Sequence, residues 1–123
     1  MRWVDLSKKF LGAIASKDIM SIQPLLNENV KLTSWSCDVA TKHETMVALQ
    51  NFFDFVDNIK IQIINTAYRN KYVCMECEMY YEITTKEDKI QEIVSPVVYI
   101  IEFDDWSKIK LIRLYRMKEG AKI

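Results

Sequence analysis

The stretch Lys89 to Phe103, KIQEIVSPVVYIIEF, constrains this chain more than any other. A strand with one wet face alternates apolar and polar residues, because successive side chains point to opposite faces. This run does not alternate. Val94, Pro96, Val98 and Ile100 fall on one face, and Ile93, Val97, Tyr99, Ile101 and Phe103 on the other. Both faces want cover, which places the strand inside a sheet and not at its rim.

The segments around it carry clearer periods. Ile59, Ile61 and Ile63 alternate with Lys60 and Gln62, and a turn at Arg69-Asn70-Lys71 leads into Tyr72 to Thr85. In that strand Val73, Met75, Cys77, Met79, Tyr81 and Ile83 point one way, and Cys74, Glu76, Glu78, Tyr80 and Glu82 the other. Lys86-Glu87-Asp88 makes a hairpin turn, and Asp104 to Ser107 turns into a last strand, Lys108 to Lys118.

Upstream the period is helical. Trp3, Leu6, Phe10, Ala13 and Ile14 form one stripe, predicting a helix over Val4 to Ala15. Gly12 weakens it by about 1 kcal/mol relative to Ala, and its place suggests close approach by another element. Ile19, Ile22, Leu25 and Leu26 predict a short second helix; with Ser21 as its cap, Pro24 falls harmlessly in the first turn. A turn at Asn27-Glu28-Asn29, a strand over Val30 to Trp35 and a loop from Ser36 to Thr41 follow. Thr41 to Glu44 has the form of a capping box, and Met46, Leu49, Phe52, Phe53 and Val56 make the stripe of a third helix. Helices first and a meander after them predict an α+β domain, with helices on one face of an antiparallel sheet.

At 123 residues the chain suits one domain, 1–123, with an ordinary core. Seventeen basic and seventeen acidic residues cancel, so no overall field draws it to nucleic acid or to an anionic membrane. That balance also offers little resistance to self-association. The charged N-terminus lacks the apolar core of a signal peptide, and no run approaches the ~20 apolar residues of a membrane span. Cys37, Cys74 and Cys77 are too few for a secreted disulfide framework, so a soluble cytoplasmic protein is expected. Cys74-Met75-Glu76-Cys77 has the CxxC form, but within a strand its sulfurs point to opposite faces, so no metal site is expected. No P-loop, dinucleotide fingerprint or nucleophile elbow is present, and no cofactor is expected.

In element order, α-α-β-α-β-β-β-β, the chain resembles the nuclear transport factor 2-like superfamily, with its SnoaL-like polyketide cyclase and steroid isomerase branches. The likeness lies in Phe10 to Trp35 (FLGAIASKDIMSIQPLLNENVKLTSW), Met46 to Phe53 (MVALQNFF) and Ser107 to Tyr115 (SKIKLIRLY). It implies a cone-shaped, cystatin-like domain whose three N-terminal helices and curved antiparallel sheet enclose a cavity. It also implies dimerisation through the sheet in many members. The groups of the steroid isomerase branch fall near Ser34, Phe10 and Val98, none of which can shuttle a proton, so that reaction is not expected.

The candidates for chemistry are few. His43, the only histidine, would be a general base beside Asp38, but an exposed first-turn histidine is the plainer reading. Asp38 is either a pocket-lining acid or a solvated loop residue. Tyr81 shares its strand face with Cys77 and would need a hydroxyl partner inside the cone. Of Arg113 and Arg116 one alone can look inward, where it would favour an anionic ligand.

Trp35, Phe53, Met75, Tyr81 and Val98 are expected to line one apolar space of a few hundred Å³, the usual range for ligand sites. The leading reading is therefore a binder of a small apolar molecule. The alternatives are a cavity enzyme (lyase, isomerase or hydrolase) and a scaffold whose cavity is filled. A homodimer is expected through the sheet face carrying Ile93, Val97, Tyr99, Ile101 and Phe103, which would otherwise form a large exposed patch.

Overall fold

The computed structural model describes residues 2–116. The helical stripe near the N-terminus forms α1 (Arg2–Ala15), burying Val4, Phe10, Leu11, Ala13 and Ile14. Gly12 is exposed, and a β-carbon there would meet nothing within 4 Å, so no element approaches it closely. A short α2 (Ile19–Ile22) runs into a 3-10 turn at Gln23–Leu25, which absorbs Pro24. Its cap is Asp18 and not Ser21. The Asp18 carboxylate accepts from the Ser21 amide at 3.2 Å and from its hydroxyl at 2.6 Å. Those two bonds hold the Asp18 carboxyl below its ordinary range.

β1 (Leu26–Thr33) starts earlier than its alternation predicts. The expected turn survives as an irregularity between Leu26 and Lys31, where the Asn29 amide donates to Asn27 Oδ1 at 2.7 Å. The segment expected to be a loop contains a short strand, β2 (Asp38–Ala40), antiparallel to β1. Thr41 then caps α3 (Lys42–Phe55) through Glu44 N–H at 3.2 Å. Its own amide donates back to Val30 O, tying the helix to β1.

β3 (Ile59–Arg69), β4 (Tyr72–Thr84), β5 (Ile90–Phe103) and β6 (Ile109–Arg116) form the antiparallel meander. Residues 117 and 118 of the expected last strand lie outside the described residues. The sheet as a whole is mixed, because β1 pairs parallel with β6, giving the order β2-β1-β6-β5-β4-β3. The helices cover one face: among the described residues, α1 contacts β3 and β4, while α3 contacts β1 and β2.

The faces of β5 are the reverse of those expected. Met75 pairs with Tyr99 and Cys77 with Val97, so the apolar face of β4 continues onto Val97, Tyr99, Ile101 and Phe103, each at most 3% exposed. Trp3 of α1 packs on Phe103 with ring centroids 5.2 Å apart. Ile93 lies on this inner face and is half-buried. Val94 and Val98 therefore do not face the helices. They lie on the open side, where Val94 is 57% exposed and Val98 sits opposite Glu76 and Tyr115. The face that the sequence pattern offers to a partner is covered by the chain's own helices. Cys74 and Cys77 lie on opposite faces, Cys74 opposite Ile100 and Cys77 in the core. Among the described residues, no helix is long and apolar enough to cross a membrane.

Gly12→Ala should stabilise the fold by roughly 0.5–1 kcal/mol, because the exposed helical site has room for a methyl group. Urea unfolding checks it, and a lower midpoint would show that α1 needs glycine there.

Candidate functional site

Between α1, α3 and the inner face of the sheet lies an apolar cavity of about 130 Å³. Phe10 and Ile14 of α1, Ala48, Leu49 and Phe52 of α3, and Met79, Tyr81, Ser95, Tyr99, Ile112 and Leu114 of the sheet form its walls. Leu32 and the segment Ser34 to Cys37 close the end of β1, with Trp35 43% exposed at the mouth. The volume is below the range expected for this site, and it suits a single ring or a short chain.

Two of the five expected lining residues, Trp35 and Tyr81, are in place. Phe53 and Met75 belong to the filled core at 4% and 0% exposure, and Val98 is on the other side of the sheet. The contribution of α3 comes from Phe52 instead. Its ring meets Tyr81 edge-on at 5.7 Å and Phe53 at 6.3 Å, so Phe52 relays the core to the cavity wall. Asp38 and His43 are exposed and do not line the cavity. Asp38 lies within 3.4 Å of the Thr33 hydroxyl in the β1–β2 hairpin.

The polar side-chain groups of the lining are the hydroxyls of Ser34, Ser36, Tyr81, Ser95 and Tyr99, the Cys37 thiol, the Trp35 indole N–H and the Met79 thioether. Ser34 is occupied by its own turn, its amide donating to Cys37 O at 2.7 Å and its Oγ accepting from Ser36 N at 3.3 Å. Burial, with the adjacent Asp38 carboxylate, pushes the Cys37 thiol up, away from a reactive thiolate. At the rim, Arg116 lies over the Trp35 ring, 4.7 Å from its centroid. Arg116 is thus the inward arginine, opposite Val97, whereas Arg113 pairs with Ile100 on the open face.

Tyr99 and Ser95 are the lining residues that the sequence pattern hides. Tyr99 is 2% exposed, and its hydroxyl reaches Met79 Sδ at 3.8 Å. Pairing β4 and β5 about the Glu87 turn would have found both, because it sets Ser95 opposite Met79 and Tyr99 opposite Met75.

Cys77, under this wall, is pushed by burial, and secondarily by Cys74, to a pKa of about 11 from 9.0. The unfolded thiol ionises first, so stability linked to Cys77 is whole below pH 9 and is lost as pH rises towards 11. Urea midpoints from pH 8 to 11 should therefore fall less steeply in Cys77→Ala than in wild type. Parallel slopes would remove Cys77 from that titration.

No family model matches the chain, and no curated protein matches it. Solved structures match closely in shape. A protein from Shewanella denitrificans OS-217 described as a SnoaL-like polyketide cyclase superposes with TM-score 0.85 at 14% identity, covering 94% of this chain and 90% of that one. An epoxide hydrolase of the LEH-like type from M. tuberculosis gives 0.80 at 17% identity, over 94% and 83%. A Catenulispora acidiphila DSM 44928 protein with a ketosteroid isomerase-like fold, solved with trimethylamine, gives 0.78 at 9% identity, over 89% and 83%. At such identities the likeness is one of architecture: this chain has the fold of the SnoaL-like, ketosteroid isomerase-like and nuclear transport factor 2-like proteins.

Proposed function

We propose that this chain binds a small, mostly apolar molecule in the cavity between α1, α3 and the sheet. The observation that carries the reading is a 130 Å³ space walled by aromatic and aliphatic side chains beside the buried core. Apolar cavities of about 150 Å³ hold benzene, so the space suffices for a ring. Neighbours of the same fold include proteins described as a cyclase and an epoxide hydrolase, and one solved with a small amine. A cavity enzyme would need a convergent acid–base pair, and two of its candidates, Asp38 and His43, stand outside the walls. Three free cysteines fit a reducing, cytoplasmic setting.

Titration with benzene should shift the amide resonances of Ala48, Tyr81, Ser95 and Ile112 together. Ala48→Leu, which grows into the cavity, should weaken binding at least fivefold. Shifts scattered over the surface, or none at millimolar benzene, would leave the cavity without a ligand.

The partner we propose is a second copy, docked through the open side of the sheet. Val94, Pro96, Val98, Ile100 and Tyr115 form an apolar strip there, with Val94 and Tyr115 57% and 51% exposed. Glu78, which accepts from the Tyr80 hydroxyl, and Glu76 border it. A net charge of zero sets no long-range repulsion against pairing, and isologous pairing is the commonest way to cover such a strip. Light scattering at micromolar concentration should give twice 14.5 kDa, and Val98→Glu, adding a carboxylate beside Glu76, should halve it. A wild-type mass of 14.5 kDa would end the proposal.

A further inference from the structure

The mouth of the cavity carries a charge that its walls lack. On the inner face of β6, Arg116 stands one same-face rung beyond Leu114, a residue of the cavity wall. Its guanidinium lies over the Trp35 ring, 4.7 Å from the centroid, and both side chains are exposed. A guanidinium has several N–H donors, more than one aromatic ring can occupy. No carboxylate among the described residues pairs with it. Asp38, which follows the lining residue Cys37, lies instead within 3.4 Å of the Thr33 hydroxyl. Covering the Trp35 ring alone asks for an apolar side chain, so the charge of Arg116 is surplus to packing. Behind it the space is apolar, and among the described residues no charged side chain lines it.

We propose that the ligand is a small amphiphilic monoanion of the carboxylic acid class, with its apolar body in the cavity and its carboxylate at the mouth, paired with Arg116 over Trp35. The inference rests on the cavity being a ligand site and adds the chemical class. The volume of about 130 Å³ limits the body to a single ring or a short chain. The carboxylate stays outside, because an ion drawn among uncharged walls would lose its water and gain no counter-charge. Its sign follows from Arg116, whose paired N–H groups match the two oxygens of a planar carboxylate. Its single charge follows from the lining, which offers no Lys or Arg to a second one. Trp35 serves both halves, since its ring forms part of the apolar wall and carries the cation on its face.

Benzoate and benzamide share a ring and a planar head group and differ in charge. Calorimetric titration of the full chain at low ionic strength should show benzoate binding about three- to fivefold tighter. That preference should shrink in about 0.5 M salt, which screens an exposed pair. In Arg116→Gln the ratio should fall to near one with benzamide binding unchanged, whereas Ala48→Leu should weaken both ligands. Phenyl phosphate, with more than one charge on its head, should bind no tighter than benzoate. Equal binding of benzoate and benzamide by wild type, or a preference that survives in Arg116→Gln, would overturn the inference while leaving the cavity a ligand site. Failure of both while benzene binds would do the same. Benzoate binding untouched by Ala48→Leu would place the anion on a surface arginine alone and overturn the amphiphile, and tighter binding of phenyl phosphate would overturn the carboxylic acid class. Binding of none of these, benzene included, would remove the inference together with the cavity reading.

Discussion

The pairing of Met75 with Tyr99 decides which half of this protein is dry. Antiparallel partners share a face, and the side-chain period of a strand is two, so one such pair fixes every other rung between β4 and β5. With Met75 on Tyr99, the chain's glutamates Glu76 and Glu78 fall together with Val94, Pro96 and Val98 on the open side. A one-residue slip of β5 would turn Val97, Tyr99, Ile101 and Phe103 to the open side and Val94, Pro96 and Val98 inward. Burying two unpaired carboxylates would cost more than any apolar gain, so β4, the strand with one polar face, holds its own orientation. β5 is apolar on both faces and takes its register from the turn that joins them.

That asymmetry explains what the sequence shows and what it conceals. Helices α1 and α3, the four-strand meander and the face of β4 follow from periods carried within single segments. The face of β5 does not, because its two halves have similar hydropathy. The missing information sits in the turn: Met75 and Tyr99 are equidistant from Glu87, and the hairpin closes with Thr85 and Lys89 bonded across it. The parallel pairing of β1 with β6 joins residues some 80 positions apart, such as Lys31 and Leu111, and no local period reports it. Asp18 outcompetes Ser21 as a cap because its carboxylate takes both the amide and the hydroxyl of Ser21.

The site is legible to the same degree. Trp35, in the turn after β1, and Tyr81 of β4 are the two named from sequence that reach the cavity. Phe52 and Phe53 differ by one helical step of about 100°, too fine a distinction for a stripe read from sequence. Met75 and Met79 share a face and differ only in distance along the strand, which a period of two cannot rank. Position along the axis, not choice of face, is what separates core from cavity wall here.

The cavity itself follows from small side chains at one level along that axis. Down the inner face of β5 the side chains run Phe103, Ile101, Tyr99, Val97, Ser95 and Ile93, and the smallest, Ser95, lies at the cavity. Towards Phe103, the side chains of Phe103, Ile101, Ile109 and Ile112 are sealed at 2% exposure or less. At the cavity the residues of α3 include the small Ala48 beside Leu49 and Phe52, and β1 gives way to Ser34, Ser36 and Cys37. Helix and sheet are rigid elements, so the gap left by small side chains on both is not closed by collapse. Tyr99 leans from the filled end towards the gap and places its hydroxyl beside Met79. Packing alone would be served there by a phenylalanine, so the Tyr99 hydroxyl, like those of Tyr81 and Ser95, is a polar group that the apolar wall does not require.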